Sequence, residues 1–95
     1  MTEEGELIPD AEDQLRQAFI NTEKNLIAAG ATQGWKAVYK CVAYHGPDLD
    51  EGRLSIYGKL IKEFCGSNRP SQVSIAVPYL WKDAHIEITV EAVLI

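Results

Sequence analysis

Between Trp35 and Tyr44 the chain is apolar at both parities of a two-residue repeat. Val38 and Val42 fall on one parity, Tyr39, Cys41 and Ala43 on the other, and from Ala37 onward only Lys40 interrupts the run. Alternate side chains of a strand point to opposite faces, so this segment predicts a strand covered on both sides, as central strands are. His45-Gly46-Pro47-Asp48 then breaks it, because proline has no N–H to give to a ladder.

Helical periodicity flanks that strand. From about Asp10 to Ala29, Leu15, Ala18, Phe19, Leu26 and Ala29 form one stripe. Pro9 and Asp10 suit a helix start, Glu12 and Asp13 complement the positive end of its dipole, and Gly30 stands where a left-handed cap is expected. A second helix is predicted from about Asp50 to Phe64, with Asp50 as N-cap and Leu54, Tyr57, Leu60, Ile61 and Phe64 at helical spacing. Gln72 to Val77 reads as a short strand. After a connection over Pro78–Asp83, His85 to Ile95 is the clearest strand, with Ile86, Ile88, Val90, Ala92 and Leu94 alternating against His85, Glu87, Thr89 and Glu91.

The order helix-strand-helix-strand-strand describes an α+β fold in one domain of 95 residues. A strand-helix-strand crossover favours a parallel pair, and the last two strands are expected to form a hairpin. Both helices then cover one face of a small mixed sheet. The other face keeps enough apolar surface to need a cover, and so thin a core makes self-association a physical expectation.

Composition narrows the function classes. Nine Lys plus Arg against fourteen Asp plus Glu leave a net charge of −5. That sign weighs against gripping nucleic acid through its phosphates and against docking on an anionic membrane. No apolar run approaches the roughly 20 residues of a bilayer span. The acidic start Met1-Thr2-Glu3-Glu4-Gly5-Glu6 is unlike a signal or transit peptide, so a cytoplasmic protein is expected. Cys41 and Cys65 have no CxxC spacing and read as inert buried thiols. His45 and His85 lack convergent partners for a metal site, and the glycines form no phosphate-binding loop. Trp35 and Trp81 could pack at subunit contacts or cap the core.

Taken in order, several segments resemble the RidA (YjgF-type, endoribonuclease L-PSP) family. Gly5-Glu6-Leu7, Asp13-Gln14-Leu15-Arg16-Gln17-Ala18 and Asn25-Leu26-Ile27-Ala28-Ala29-Gly30-Ala31 are similar to its first helix, and Val38–Tyr44 to the strand that follows. Tyr57 lies where its second helix carries a Tyr, and Arg69-Pro70-Ser71-Gln72 and Ile86-Glu87-Ile88 through Ala92 resemble its last two strands. The resemblance implies a chorismate-mutase-like fold, a homotrimer with ligand clefts between subunits, and hydrolysis of small reactive enamines and imines without metal or cofactor. The family's older label is translation-inhibiting endoribonuclease, but the acidic balance weighs against RNA as a partner here.

Two departures stand out. The family pattern begins with a hairpin of roughly 25–30 residues before the Gly5-Glu6-Leu7 segment, a length comparable to known hairpin units. A form without it is expected here, whether a natural short form, a truncated gene model or a fragment that assembles differently. In the active deaminases an Arg after the proline of the penultimate strand clamps the substrate carboxylate, and Gln72 occupies that position. A Gln amide offers hydrogen bonds but no positive charge. Arg69 could reach back, although Pro70 is expected to hold it on the loop.

The candidate site residues are therefore few. Glu87 matches the acidic residue that positions the attacking water, a task a carboxylate performs well. By spacing alone it reads rather as a polar residue on a solvated strand face, and only the resemblance brings a cleft position level with that. Gln72, Ser74 and, more distantly, Arg69 are the candidate substrate contacts, and Gln72 and Ser74 share one side of their strand. They could equally make ordinary strand-edge hydrogen bonds. Tyr57 is expected in the core rather than on the ligand. Two readings remain: a hydrolase for a small imine, enamine or related reactive metabolite, and a noncatalytic trimer that binds a ligand or partner.

Overall fold

The computed structural model describes residues 11–47, 49–81 and 84–94. The predicted helix start at Pro9 and Asp10, and the Gly5–Leu7 segment, lie outside these residues. Helix α1 (Ala11–Ala28) buries Leu15, Phe19 and Leu26, while Ala29 at the end of the predicted stripe is exposed. Gly30 ends it with φ 106°, its N–H bonding to the Ile27 carbonyl and that of Ala31 to the Leu26 carbonyl. This is a Schellman cap, whose turn requires the left-handed region that glycine enters without steric cost.

The next segment differs from expectation. Gly34–Ala37 is a short 3-10 turn, and strand β1 runs over Val38–His45, so Trp35 precedes the strand. Its ring is fully buried, stacked on Phe19 with centroids 4.8 Å apart, and its Nε1–H donates to the Phe19 carbonyl at 2.9 Å. A buried indole needs such an acceptor, and the turn places the ring where one is available. Of the two roles open to Trp35, the core is where it lies.

Helix α2 (Glu51–Cys65) begins at the predicted cap, with the Arg53 N–H bonded to Asp50 Oδ1 at 2.8 Å. It buries Tyr57, Leu60, Ile61 and Cys65. Leu54, expected in that stripe, is exposed, and Ile56 packs on the core instead. Across the helix pair Arg16 bonds both carboxylate oxygens of Glu63, and Lys59 meets Glu12 at 3.4 Å.

Strands β2 (Ser71–Ala76) and β3 (Ile86–Ala92) complete a three-stranded mixed sheet in the order β2-β1-β3. The parallel β1–β2 pair bears out the crossover through α2. The expected hairpin is not formed: β3 pairs antiparallel with β1, and β2 lies on the other side of β1. The connection after β2 crosses the end of β1, where the Val77 N–H bonds to the His45 carbonyl and the Gly46 N–H to the His85 carbonyl. Placing β1 centrally satisfies its backbone on both edges and buries Val38, Cys41 and Ala43. A β2–β3 hairpin would leave that strand at an edge.

An irregularity between Val38 and Lys40 resets the side-chain parity. Val38 thereby joins Cys41 and Ala43 in the core, whereas strict alternation would set it with the half-buried Val42. The core packs residues of both helices against this one face of the sheet. Among the described residues, no helix is long and apolar enough to cross a membrane.

Candidate functional site

The register sorts the candidate residues by face. Cys41 pairs with Gln72 and Val90, and Ala43 with Ser74 and Ile88, so Gln72 and Ser74 lie on the helix-covered side. Tyr44 pairs with Ile75 and Glu87, which lie on the open side with Val42, Val73 and Thr89. Within one chain the sheet thus separates Glu87 from Gln72 and Ser74.

On the helix side a short polar chain runs outward from the core. The Cys41 Sγ lies 3.4 Å from the Tyr57 hydroxyl, which donates to Gln72 Oε1 at 2.8 Å. Burial pushes the Tyr57 phenol far above its ordinary range, and it raises the Cys41 thiol against the lowering effect of the Tyr57 hydrogen bond. Both stay protonated at neutral pH. The phenol therefore has a proton to donate, and Gln72 accepts through its carbonyl oxygen, leaving its amide –NH2 for other partners. His45 stands edge-on to Tyr57 with ring centroids 5.2 Å apart. It is 2% exposed, and no hydrogen-bond partner meets its Nε2 among the described residues; burial lowers its pKa. Cys65 is likewise raised by burial, to about 11. Both thiols are buried, as expected, although Cys41 also takes part in the polar chain.

Arg69 stays on its loop. Its Nη1 donates to the Gly66 carbonyl and, at 2.9 Å, to that of Asn68. The guanidinium is thus spent on neutral carbonyls beside the α2 terminus. The Asn68 amide in turn bonds the Val38 carbonyl at 2.7 Å, which ties this loop to the start of β1. A depression of about 450 Å³ beside it is lined by Gln33, Lys36, Cys65, Gly66, Ser67 and Asn68.

At the start of β3 Glu87 reaches a smaller pocket of about 150 Å³, lined with Leu80, Trp81, Ala84 and Ile86. The Trp81 indole is 69% exposed. Sequence reading left Trp81 between a subunit contact and a core cap; its place beside a carboxylate depends on how the connection after β2 folds back. The apolar run Tyr79-Leu80-Trp81 within a connecting segment was the available signal. Among the described residues, no three of His, Cys, Asp and Glu gather as a metal site would require.

No protein-family model and no curated protein matches this chain. Solved structures do. A candidate L-PSP endoribonuclease from Entamoeba histolytica is 23% identical, with a TM-score of 0.79 over 92% of this chain and 66% of its own. A Yersinia pestis protein of the conserved Rid family, itself of unknown function, is 24% identical with a TM-score of 0.81, over 98% of this chain and 71% of its own. A candidate translation initiation inhibitor from Vibrio vulnificus is 28% identical with a TM-score of 0.79, over 94% and 69%. The chain spans about two thirds of the length of these structures. Its fold is that of the Rid and L-PSP proteins, which bears out the resemblance drawn from the sequence.

Proposed function

We propose that this chain, built on the Rid-type fold, is a cofactor-independent hydrolase for a small imine or enamine. The observation that carries this reading is the position of Glu87 at the wall of a pocket whose other described walls are apolar. In such a reaction water adds to the imine carbon, and the carboxylate takes a proton from it and returns one to nitrogen. The C–N bond then breaks, giving a carbonyl compound and ammonia. Tyr44, the cross-strand neighbour of Glu87, flanks the site on the same face.

Gln72 and Ser74 would enter this site from a second copy of the chain, since the sheet separates them from Glu87 within one copy. The β2 strand is an exposed sheet edge whose Val73 and Ile75 are 45% and 40% exposed, an unusual state for two β-branched residues on one short strand. This supports self-association along that edge, which would carry Gln72 and Ser74 with it. We take the assembly to be a homotrimer, as the fold resemblance implies. Arg69 would have to give up its carbonyl contacts to supply the missing positive charge.

A noncatalytic trimer is the second reading, favoured by the engagement of the Gln72 carbonyl oxygen with Tyr57. The test is hydrolysis of freshly generated 2-aminoacrylate and 2-iminobutyrate by wild type, Gln72→Arg and Glu87→Ala. Turnover by wild type that Glu87→Ala abolishes supports the hydrolase. Activity gained only with Gln72→Arg shows a cleft turned to another ligand, and silence from all three folded proteins favours the binding module.

A further inference from the structure

The pocket at Glu87 has a composition that selects for charge. Its described lining sets the Glu87 carboxylate among Leu80, Trp81, Ala84 and Ile86. A carboxylate with an indole beside it presents two features that attract one kind of ligand. The carboxylate draws a cation directly, and the negative face of the indole draws the same cation through its quadrupole. Leu80, Ala84 and Ile86 supply apolar surface for a short carbon skeleton. A volume of about 150 Å³ gives room for a skeleton of a few carbons.

The rest of the molecule supports the same sign. Arg69 is turned to backbone carbonyls, and Gln72, at the position where the family resemblance expects an arginine, is neutral and bonded to Tyr57. On the open face Lys40 is engaged with Glu91 at 3.5 Å. The chain as a whole carries a charge of −5, which raises the local concentration of cations over anions.

We infer that the Glu87–Trp81 pocket binds a small organic cation without a carboxylate, of the alkylammonium or protonated-imine class. The inference rests on the reading above in taking Glu87 to face the ligand, and deepens it by naming the substrate class. Within this class a protonated imine is activated toward water at its carbon, an alkylammonium is its unreactive mimic, and neither has a carboxylate for an arginine to clamp.

The test is a binding titration read by proton–nitrogen correlation NMR. The two indole N–H signals report separately on the buried Trp35 and the exposed Trp81. Three probes share a branched skeleton: isobutylammonium, isobutyramide and isobutyrate. Isobutylammonium is expected to move the Trp81 signal saturably and to bind at least about fivefold more tightly than the other two, a ratio in keeping with an exposed ion pair plus one cation–π contact. Glu87→Gln should weaken it by a similar factor. Glu91→Gln removes an equal charge from the same strand face and should leave it unchanged. The inference is overturned if isobutyrate or isobutyramide binds as well as the ammonium, if no probe moves the Trp81 signal, or if Glu91→Gln weakens binding as much as Glu87→Gln. Cation binding as expected with no imine hydrolysis would remove the hydrolase reading and leave the pocket's charge preference standing.

Discussion

The Tyr57 hydroxyl donates to Gln72 Oε1 across 2.8 Å, joining the buried face of α2 to the outer strand of the sheet. Both ends matter, since the same hydroxyl meets the Cys41 thiol inside the core. Tyr57→Phe should therefore cost about 1 kcal/mol, the usual net worth of one hydrogen bond, because Gln72 is exposed and can turn to water. Urea denaturation of the two proteins measures it.

His45 sets a pH dependence. Burial lowers its pKa in the folded chain, so between the folded value and the unfolded value near 6.5 the unfolded chain binds more protons. Stability contributed by neutral His45 is then complete above pH 6.5 and is lost as pH falls toward the folded value. Denaturation series from pH 7.5 to pH 5 should show that decline, with a shallower slope in His45→Gln.

The two tryptophans should behave oppositely. Trp35→Ala empties the centre of the aromatic cluster and leaves the Phe19 carbonyl without its indole donor, at a cost of roughly 3–5 kcal/mol. Trp81→Ala removes a largely exposed side chain and should change stability by no more than about 0.5 kcal/mol. Thermal unfolding of both variants separates the cases.

Gly30→Ala places a Cβ at φ 106°, where an L-residue is strained whatever the space around it. A loss of about 1–2 kcal/mol is expected in the same assay.

Ile75→Glu, on the open sheet face, should lower the sedimentation mass of the assembly without unfolding the monomer, since its side chain is already 40% exposed in the single chain. An unchanged mass would point self-association elsewhere.

Local patterns made much of this fold readable. The helices, the Gly30 and Asp50 caps and the alternation of β3 follow from neighbours a few positions apart. The central place of β1 was readable too, because an apolar pattern on both parities needs cover on both faces. The β2–β3 hairpin that sequence adjacency suggests does not form, because the connection between these strands is long enough to cross β1. Trp35 and Val38 were assigned to a continuous strand because a 3-10 turn and a shifted register leave no mark on residue type. Gln72 and Glu87 stand out by resemblance, and Ser74 by sharing Gln72's side of the strand. Their separation by the sheet depends on register between strands far apart in the chain, which no local pattern encodes.

The central position of β1 also governs how the chain can fold. No two paired strands are near neighbours in sequence: every β1–β2 pair is 31 residues apart, and the shortest regular β1–β3 pair, His45 with Ile86, is 41. Each pairing must therefore meet the entropy of closing a long loop before any ladder bond offsets it. The sheet has no local hairpin on which to nucleate. In the folded chain α1 and α2 pack on one face of these strands, and the amides of β1, bonded on both edges, should be among the last to exchange with solvent.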